Sequence, residues 1–144
     1  MYSSDRACQR FLNYISLTLL KKSIKRVRAS WFYTLMVDES TDVGKVPHMI
    51  VYAGFIEDFQ PKTCFLGLVE LEGSSSNDLY QSLTCFLATL HLDMGNIISV
   101  GSNGATSRLN GLATKLKKVN PFMISIHCVA HRTNLCLVDA FKNF

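Results

Sequence analysis

The chain has 144 residues, of which 48% are hydrophobic and 18% are charged. This balance excludes a disordered protein and fits one domain, or part of one, with a buried core. The formal net charge of +4 permits a nucleic-acid partner without requiring one, and no apolar run reaches the ~20 residues that span a bilayer. Five scattered cysteines and a start without leader features favour a reducing, intracellular compartment and buried thiols.

The first predicted element is a helix from about Arg6 to Arg28. Its apolar residues follow helical spacing, at Phe11, Leu12, Ile15, Leu19 and Ile24. Near its end the helix carries a dense group of cations, Lys21, Lys22, Lys25, Arg26 and Arg28. This group could be a nuclear-import signal or a phosphate-binding face. It could equally be the solvated face of a helix, stabilised by the helix dipole.

The next three elements are predicted strands because they are rich in β-branched and aromatic residues. They span Trp31–Val37, Met49–Ile56 and Cys64–Leu71. Turn residues separate the strands at 41–47 and 58–61, and loops this short join antiparallel neighbours. We therefore expect an antiparallel meander in this part of the chain.

Helices and strands alternate in the second half. Ser76 is the expected N-cap of a helix whose apolar stripe runs from Leu79 to Leu90. The later elements are a strand at Ile97–Val100, a helix that ends before Asn120-Pro121, a strand at Phe122–Ile126 and a helix at Val129–Phe141. This order predicts an α/β, ribonuclease-H-like fold with a five-stranded mixed sheet flanked by helices.

Polar residues follow the first and fourth predicted strands, which lie side by side in such a sheet. Asp38 follows the first strand, and Asn103 follows the fourth. Two-metal phosphoryl transfer needs several carboxylates at such a position, and Asn103 offers only a neutral amide. The alternative for Asp38 is an acidic, solvated turn with Glu39 and Asp42. The alternative for Asn103 is an ordinary turn with the neighbouring glycines.

A third motif, His127-Cys128-Val129-Ala130-His131, precedes Arg132 and Asn134. Cys128 and His131 could be half of a zinc site, but no second Cys/His pair stands at the spacing of a zinc finger. The start of the last helix, with His127, His131 and Arg132, could instead contact phosphate. Ordinary helix capping explains the same residues equally well.

These three motifs, in this order and spacing, resemble the transposase domain of hAT elements, and more narrowly the domesticated proteins derived from them. The resemblance covers nearly the whole chain. It implies a partial ribonuclease-H-like domain over residues 1–144, with a leading helix at 1–30 and the sheet and helices at 31–144, truncated at its C-terminal end. It also implies that Asp38 matches the first catalytic acid and that Asn103 replaces the second. The third acid, a late Glu, has no counterpart in this chain.

We therefore expect a catalytically inactive domain with a nuclear role, in which Asp38 is vestigial and no cofactor is bound, although the ancestral family uses Mg²⁺ or Mn²⁺. DNA, other transposase-derived proteins and other nuclear proteins are the expected partners, with self-association and without a membrane. The nucleic-acid-binding residues would be the cations at 21–28 and His127, Cys128, His131 and Arg132. Two alternatives stay open, a residual metal-dependent nuclease or strand-transfer activity and a pure protein-interaction module.

Overall fold

A computed structural model describes residues 5–41, 46–73, 75–102 and 107–142. The helices are α1 (Asp5–Ala29), α2 (Ser76–Thr89), α3 (Ser107–Val119) and α4 (Val129–Lys142). The strands are β1 (Tyr33–Thr41), β2 (Pro47–Glu57), β3 (Gln60–Glu70), β4 (Ile97–Ser102) and β5 (Ile124–His127). A short 3₁₀ turn at Met94–Asn96 leads into β4. Among the helices described, none is both long enough and apolar enough to cross a membrane.

The five strands form one mixed sheet in the order β3-β2-β1-β4-β5. β2 pairs antiparallel with β1 and with β3, whereas β4 pairs parallel with β1 and with β5. This arrangement confirms the predicted α/β fold class and the predicted pairing of the first and fourth strands. In the register of that pair, Val37 lies opposite Ser102.

The first strand is longer than its sequence predicts. β1 continues to Thr41 because β2 keeps pairing with it as far as Pro47. The next hairpin joins β2 to β3 through a turn of two residues. Asp58 and Phe59 form this turn, and both have positive φ, 51° and 59°. Two residues in this conformation match the right-handed twist of the flanking strands. Asp38 and Glu39 therefore lie within a strand, so the alternative of an acidic turn is wrong for these two residues.

Helices α1, α2 and α3 supply the buried side chains that cover one face of the sheet. α1 contributes Ile24 and Val27, and α2 contributes Leu79, Leu83 and Leu87. From the sheet the core receives alternate residues of β1 and β2, namely Tyr33, Leu35, Val37, Met49, Val51, Ala53 and Phe55. Side chains alternate between the two faces of a strand, so every second residue of β1 and β2 faces the helices. The residues between them lie on the opposite face, which no described helix covers.

A β-bulge preserves this separation along the edge strand β3. Gly67 pairs with Val51 and Phe65 pairs with Tyr52, so Leu66 has no register partner on β2. Both Leu66 and the position of Gly67 consequently face the helices, while Phe65 and Leu68 face the other way. Leu66 is only 1% exposed, whereas Leu68 is 59% exposed.

The open face of the sheet carries many apolar side chains beside polar ones such as Asp38. Its exposed apolar members include Met36, Tyr52, Ile56, Phe65, Leu68, Ile98, Ile124 and Ile126. The rings of Tyr52 and Phe65 pack edge to face across β2 and β3, with centroids 5.3 Å apart. Helix α4 also exposes apolar side chains at Leu137, Val138 and Phe141. The apolar residues of the open face form a continuous patch rather than single exposed side chains. Such a patch can contact another helix or another chain.

The N-cap of α2 is Ser75, so the expectation that Ser76 caps this helix is wrong by one residue. The Ser75 hydroxyl accepts hydrogen bonds from the backbone N–H groups of Asn77 and Asp78, each at 3.2 Å. The Asp78 carboxylate accepts the Ser75 N–H in return, at 2.8 Å. Ser75 is the N-cap because Asp78 stands three residues after it. The two side chains complete a reciprocal capping box that Ser76 cannot form.

Two side chains anchor the loop that leads into β4. The buried Tyr33 donates its phenolic O–H to the carbonyl of Asp93 at 2.9 Å, and burial raises the pKa of this phenol. Asn120 donates from its side-chain amide to the carbonyls of Gly95 and Ile97. These bonds hold the start of β4 beside β1, and they therefore place the ends of the two strands at one edge.

The expectation of buried thiols is wrong for most of the cysteines. Cys8, Cys85, Cys128 and Cys136 are exposed, and only Cys64 is half-buried. The exposed cysteines lie on outer helix faces or just past β5. Burial raises the pKa of the Cys64 thiol. All five are free thiols, as expected of a chain without disulfides.

Candidate functional site

A cavity of about 380 Å³ opens at the edge where β1, β4 and β5 end their parallel pairing. The residues that line it include Asp38, Tyr52, Ser102, Ile126, His127 and Cys128. Strand ends at this edge of an α/β sheet are a common position for ligand and catalytic sites. The cavity is therefore the candidate site of the domain.

Asp38 is the first residue of β1 beyond the parallel ladder with β4. It still pairs with Ile50 of β2, so the antiparallel hairpin fixes its backbone. Its side chain is exposed and lines the cavity. Glu39 is the next residue of the same strand and belongs to the opposite face, so these two acids do not converge. Asp42 and Asn103 lie outside the described residues.

His127 and Cys128 reach the same cavity from β5. His127 is opposite Ser102 in the parallel register, and the Cys128 N–H donates to the Ser102 carbonyl at 2.7 Å. The structure thus brings Asp38 and the His-Cys pair, which are separate motifs in the sequence, to one place. The predicted strand order contains the signal for this neighbourhood, because β4 lies beside β1 and β5 lies on the other side of β4. His131 and Arg132 belong to the first turn of α4, and their side chains lie outside the described residues.

The basic group at the end of α1 divides into two kinds of residue. Arg26 makes a bidentate ion pair with Glu57, at 2.7 Å and 2.5 Å, and its guanidinium lies 5.3 Å from the centroid of Phe55. The hydrogen bonds from Arg26 lower the pKa of the Glu57 carboxyl. Arg28 donates to the carbonyl of Leu90 at 2.6 Å. Both arginines therefore connect α1 to the rest of the fold.

The three lysines of this group are exposed. Lys21 and Lys25 stand four residues apart on one face of α1, and together with Ile24 and Arg28 they line a shallow depression of about 360 Å³. Lys22 lies beside this face, and its charge contributes weakly to the lowered pKa of Glu57. An anion that approached α1 would meet the lysines first, because the guanidinium of Arg26 is already paired.

The profile of the DUF4371 family, described as the ZMYM1/FAM200 RNase-like domain, matches residues 2–112. The chain belongs to this family. It is also 24% identical over 130 residues to a mouse protein, general transcription factor II-I repeat domain-containing protein 2. That alignment covers 83% of this chain but only 14% of the mouse protein. These matches support an RNase-like domain of the kind found in transposase-derived proteins.

Among the residues that the structure describes, the donors at the cavity of this RNase-like domain do not fit a two-metal site. Magnesium and manganese prefer several hard oxygen ligands, and Asp38 supplies the one carboxylate that lines the cavity within the described residues. His127 and Cys128 are softer ligands than these ions prefer. Across residues 5–41, 46–73, 75–102 and 107–142, no three His, Cys, Asp or Glu side chains are grouped to hold an ion. We therefore derive no metal-dependent step at this edge.

Proposed function

We propose that this RNase-like domain derives from an hAT transposase, is catalytically inactive and associates with DNA in the nucleus. The observation that carries the proposal is the composition of the strand-end cavity, where Asp38 stands with Ser102, His127 and Cys128. A phosphoryl-transfer site of the ribonuclease-H type needs further carboxylates at this place. In the sequence, the residue that follows Ser102 is an amide, Asn103.

DNA association is supported by the exposed lysines of α1. Lys21 and Lys25 are exposed, share one helix face and line the same shallow depression. Two phosphate contacts correspond to a slope of about −1.8 for log affinity against log salt. A rise in salt from about 50 to about 200 mM would then weaken binding about tenfold. A nuclear role also agrees with the name of the mouse relative, which refers to transcription factor repeats.

The test of DNA association is fluorescence anisotropy with a labelled duplex at several salt concentrations. We expect Lys21→Ala combined with Lys25→Ala to remove most of the salt dependence, and Lys25→Ala alone to reduce the slope by about 0.9. Lys118→Ala, an exposed lysine of α3, is the matched control and should leave the slope unchanged. The assignment to α1 would be refuted if the affinity of the wild type did not change with salt. It would also be refuted if Lys118→Ala reduced the salt slope as much as the α1 variants do.

The test of inactivity is incubation of the chain with supercoiled plasmid and Mg²⁺ or Mn²⁺. We expect no nicking above that of an Asp38→Ala variant prepared in the same way. Metal-dependent nicking that Asp38→Ala abolishes would establish the residual nuclease instead. This experiment is independent of the salt titration, because a domain can bind DNA without cutting it.

A protein-interaction role is the second candidate, and the open apolar face of the sheet favours it. A sheet with parallel pairs is normally covered on both faces, and here the described helices α1, α2 and α3 bury only one. Salt-independent or absent DNA binding, combined with partner binding that Ile126→Lys abolishes, would favour this candidate over the first.

A further inference from the structure

The N-terminal part of α1 extends away from the core. From Asp5 to Leu19 every side chain is exposed except the half-buried Ala7, whereas Ile24 and Val27 are buried against the sheet. These fifteen residues correspond to about 22 Å of helix at 1.5 Å per residue. A solvated segment of this length would be expected to carry polar residues all round, and this one does not.

α1 has a second apolar stripe on a different face. Cys8, Leu12, Ile15 and Leu19 follow one another at alternating spacings of four and three residues, which is the pattern of a coiled-coil seam. At 100° per residue, the centre of this stripe lies about 115° around the helix from the buried stripe at Leu20, Ile24 and Val27. The core that buries the second group therefore leaves the first uncovered. Leu12 is 64% exposed and Leu19 is 60% exposed.

The stripe is symmetric, and opposite charges stand at its two ends. Asp5 precedes Cys8 by three residues, and Lys22 follows Leu19 by three residues. A second copy of the same helix, running antiparallel, would place Cys8 opposite Leu19 and Leu12 opposite Ile15. The same register places Asp5 opposite Lys22 at both ends. We propose that α1 pairs antiparallel with α1 of a second copy of this chain, through the stripe from Asp5 to Lys22.

Charge and shape both favour the antiparallel orientation. A parallel pair would put Asp5 beside Asp5 and Lys22 beside Lys22, with the two basic groups next to each other. It would also bring the two sheet domains to the same end of the pair, whereas the antiparallel pair places them at opposite ends. The identity of the occupant follows from this complementarity, since one stripe supplies both the acid and the base that the contact needs.

The size of the contact indicates a transient dimer. The large apolar residues of the stripe, Leu12, Ile15 and Leu19, are 64%, 44% and 60% exposed, so together they offer less than the full surface of two side chains per copy. Stable complexes of standard size bury about 800 Å² per partner. We therefore place the dissociation constant in the micromolar range and expect the association to depend on concentration.

Sedimentation equilibrium of the full chain at micromolar concentrations tests the pairing. We expect Leu12→Lys and Ile15→Lys each to weaken association at least tenfold, because each puts a cation into the seam of both copies. Leu17→Lys is the matched control, since Leu17 is 52% exposed on the opposite face of the same helix. None of these side chains is in the core, so the variants should keep the fold, which circular dichroism can check.

Charge reversal tests the orientation. Asp5→Lys or Lys22→Asp alone should weaken the dimer about three- to tenfold, and the double variant should restore it, because two exposed ion pairs are lost and then regained. A monomeric wild-type chain, an equal effect of Leu17→Lys, or a double variant that fails to recover would each overturn the proposal. So would association that survives Leu12→Lys and is lost in Ile126→Lys, which would assign self-association to the open face of the sheet.

Discussion

Leu66 and Leu68 provide a direct test of the two faces of the sheet. They stand two residues apart in β3, and a regular strand would place them on the same face. The bulge instead buries Leu66 and leaves Leu68 in the open face. Truncating Leu66 to Ala removes a side chain that is 1% exposed, and such changes cost about 2–5 kcal/mol of unfolding free energy.

The matched change at Leu68 should cost far less. Its side chain is 59% exposed, so Leu68→Ala loses only a minor part of the burial and should cost under about 1 kcal/mol. Urea denaturation measures both values. With a slope of about 1.5 kcal/mol per molar, a loss of about 3 kcal/mol moves the midpoint by about 2 M.

The result that would refute this reasoning is equality of the two variants. If Leu68→Ala shifts the midpoint as much as Leu66→Ala does, the bulge is absent or the open face is covered in solution. Repeating the measurement at several protein concentrations separates these causes. Coverage by a second copy makes the cost of Leu68→Ala rise with concentration, whereas a missing bulge makes it independent of concentration.

Two further predictions concern local contacts. Ser75→Ala should destabilise the fold by about 1 kcal/mol, because it removes the hydroxyl of the capping box with Asp78, and Ser76→Ala should have almost no effect in the same thermal melts. Arg26→Ala should destabilise at neutral pH but progressively less as the pH falls below the pKa of Glu57. The pKa of Glu57 is lowered by folding, so its contribution is complete above its ordinary value of 4.5 and is lost in acid. Urea midpoints of wild type and variant that stay equally far apart down to about pH 3 would contradict this.

The order of elements and the strand topology could be predicted because both depend on periodicity and on short connections. The predicted strand pairs are present, and so is the neighbourhood of Asp38 and the end of β4. The ends of elements were harder to predict, since they depend on pairing with another segment. β1 continues to Thr41 only because β2 is there to pair with it, and no property of Asp38 or Glu39 themselves favours a strand.

A residue of the site could be predicted only when a single strand of the sequence was enough to identify it. Asp38 could be identified from the first strand alone, whereas its cavity also needs His127 and Cys128, which arrive through β5. The role of Arg26 was not predictable, because its partner Glu57 is 31 residues away and belongs to another element. A list of cations in a sequence does not tell which of them are already paired. The structure answers this for Arg26, which is paired with Glu57, whereas the three lysines of the group are exposed.

The two proposals for α1 use different faces of one helix, and this makes them independent. At 100° per residue, Lys21 and Lys25 lie more than about 100° from the seam that contains Leu12 and Ile15. An antiparallel pair keeps both lysine faces exposed and places them roughly 28 Å apart along the helix axis. Loss of pairing in Leu12→Lys should therefore leave the contacts of each copy with phosphate intact, and a change in salt slope should appear only when Lys21 or Lys25 is removed.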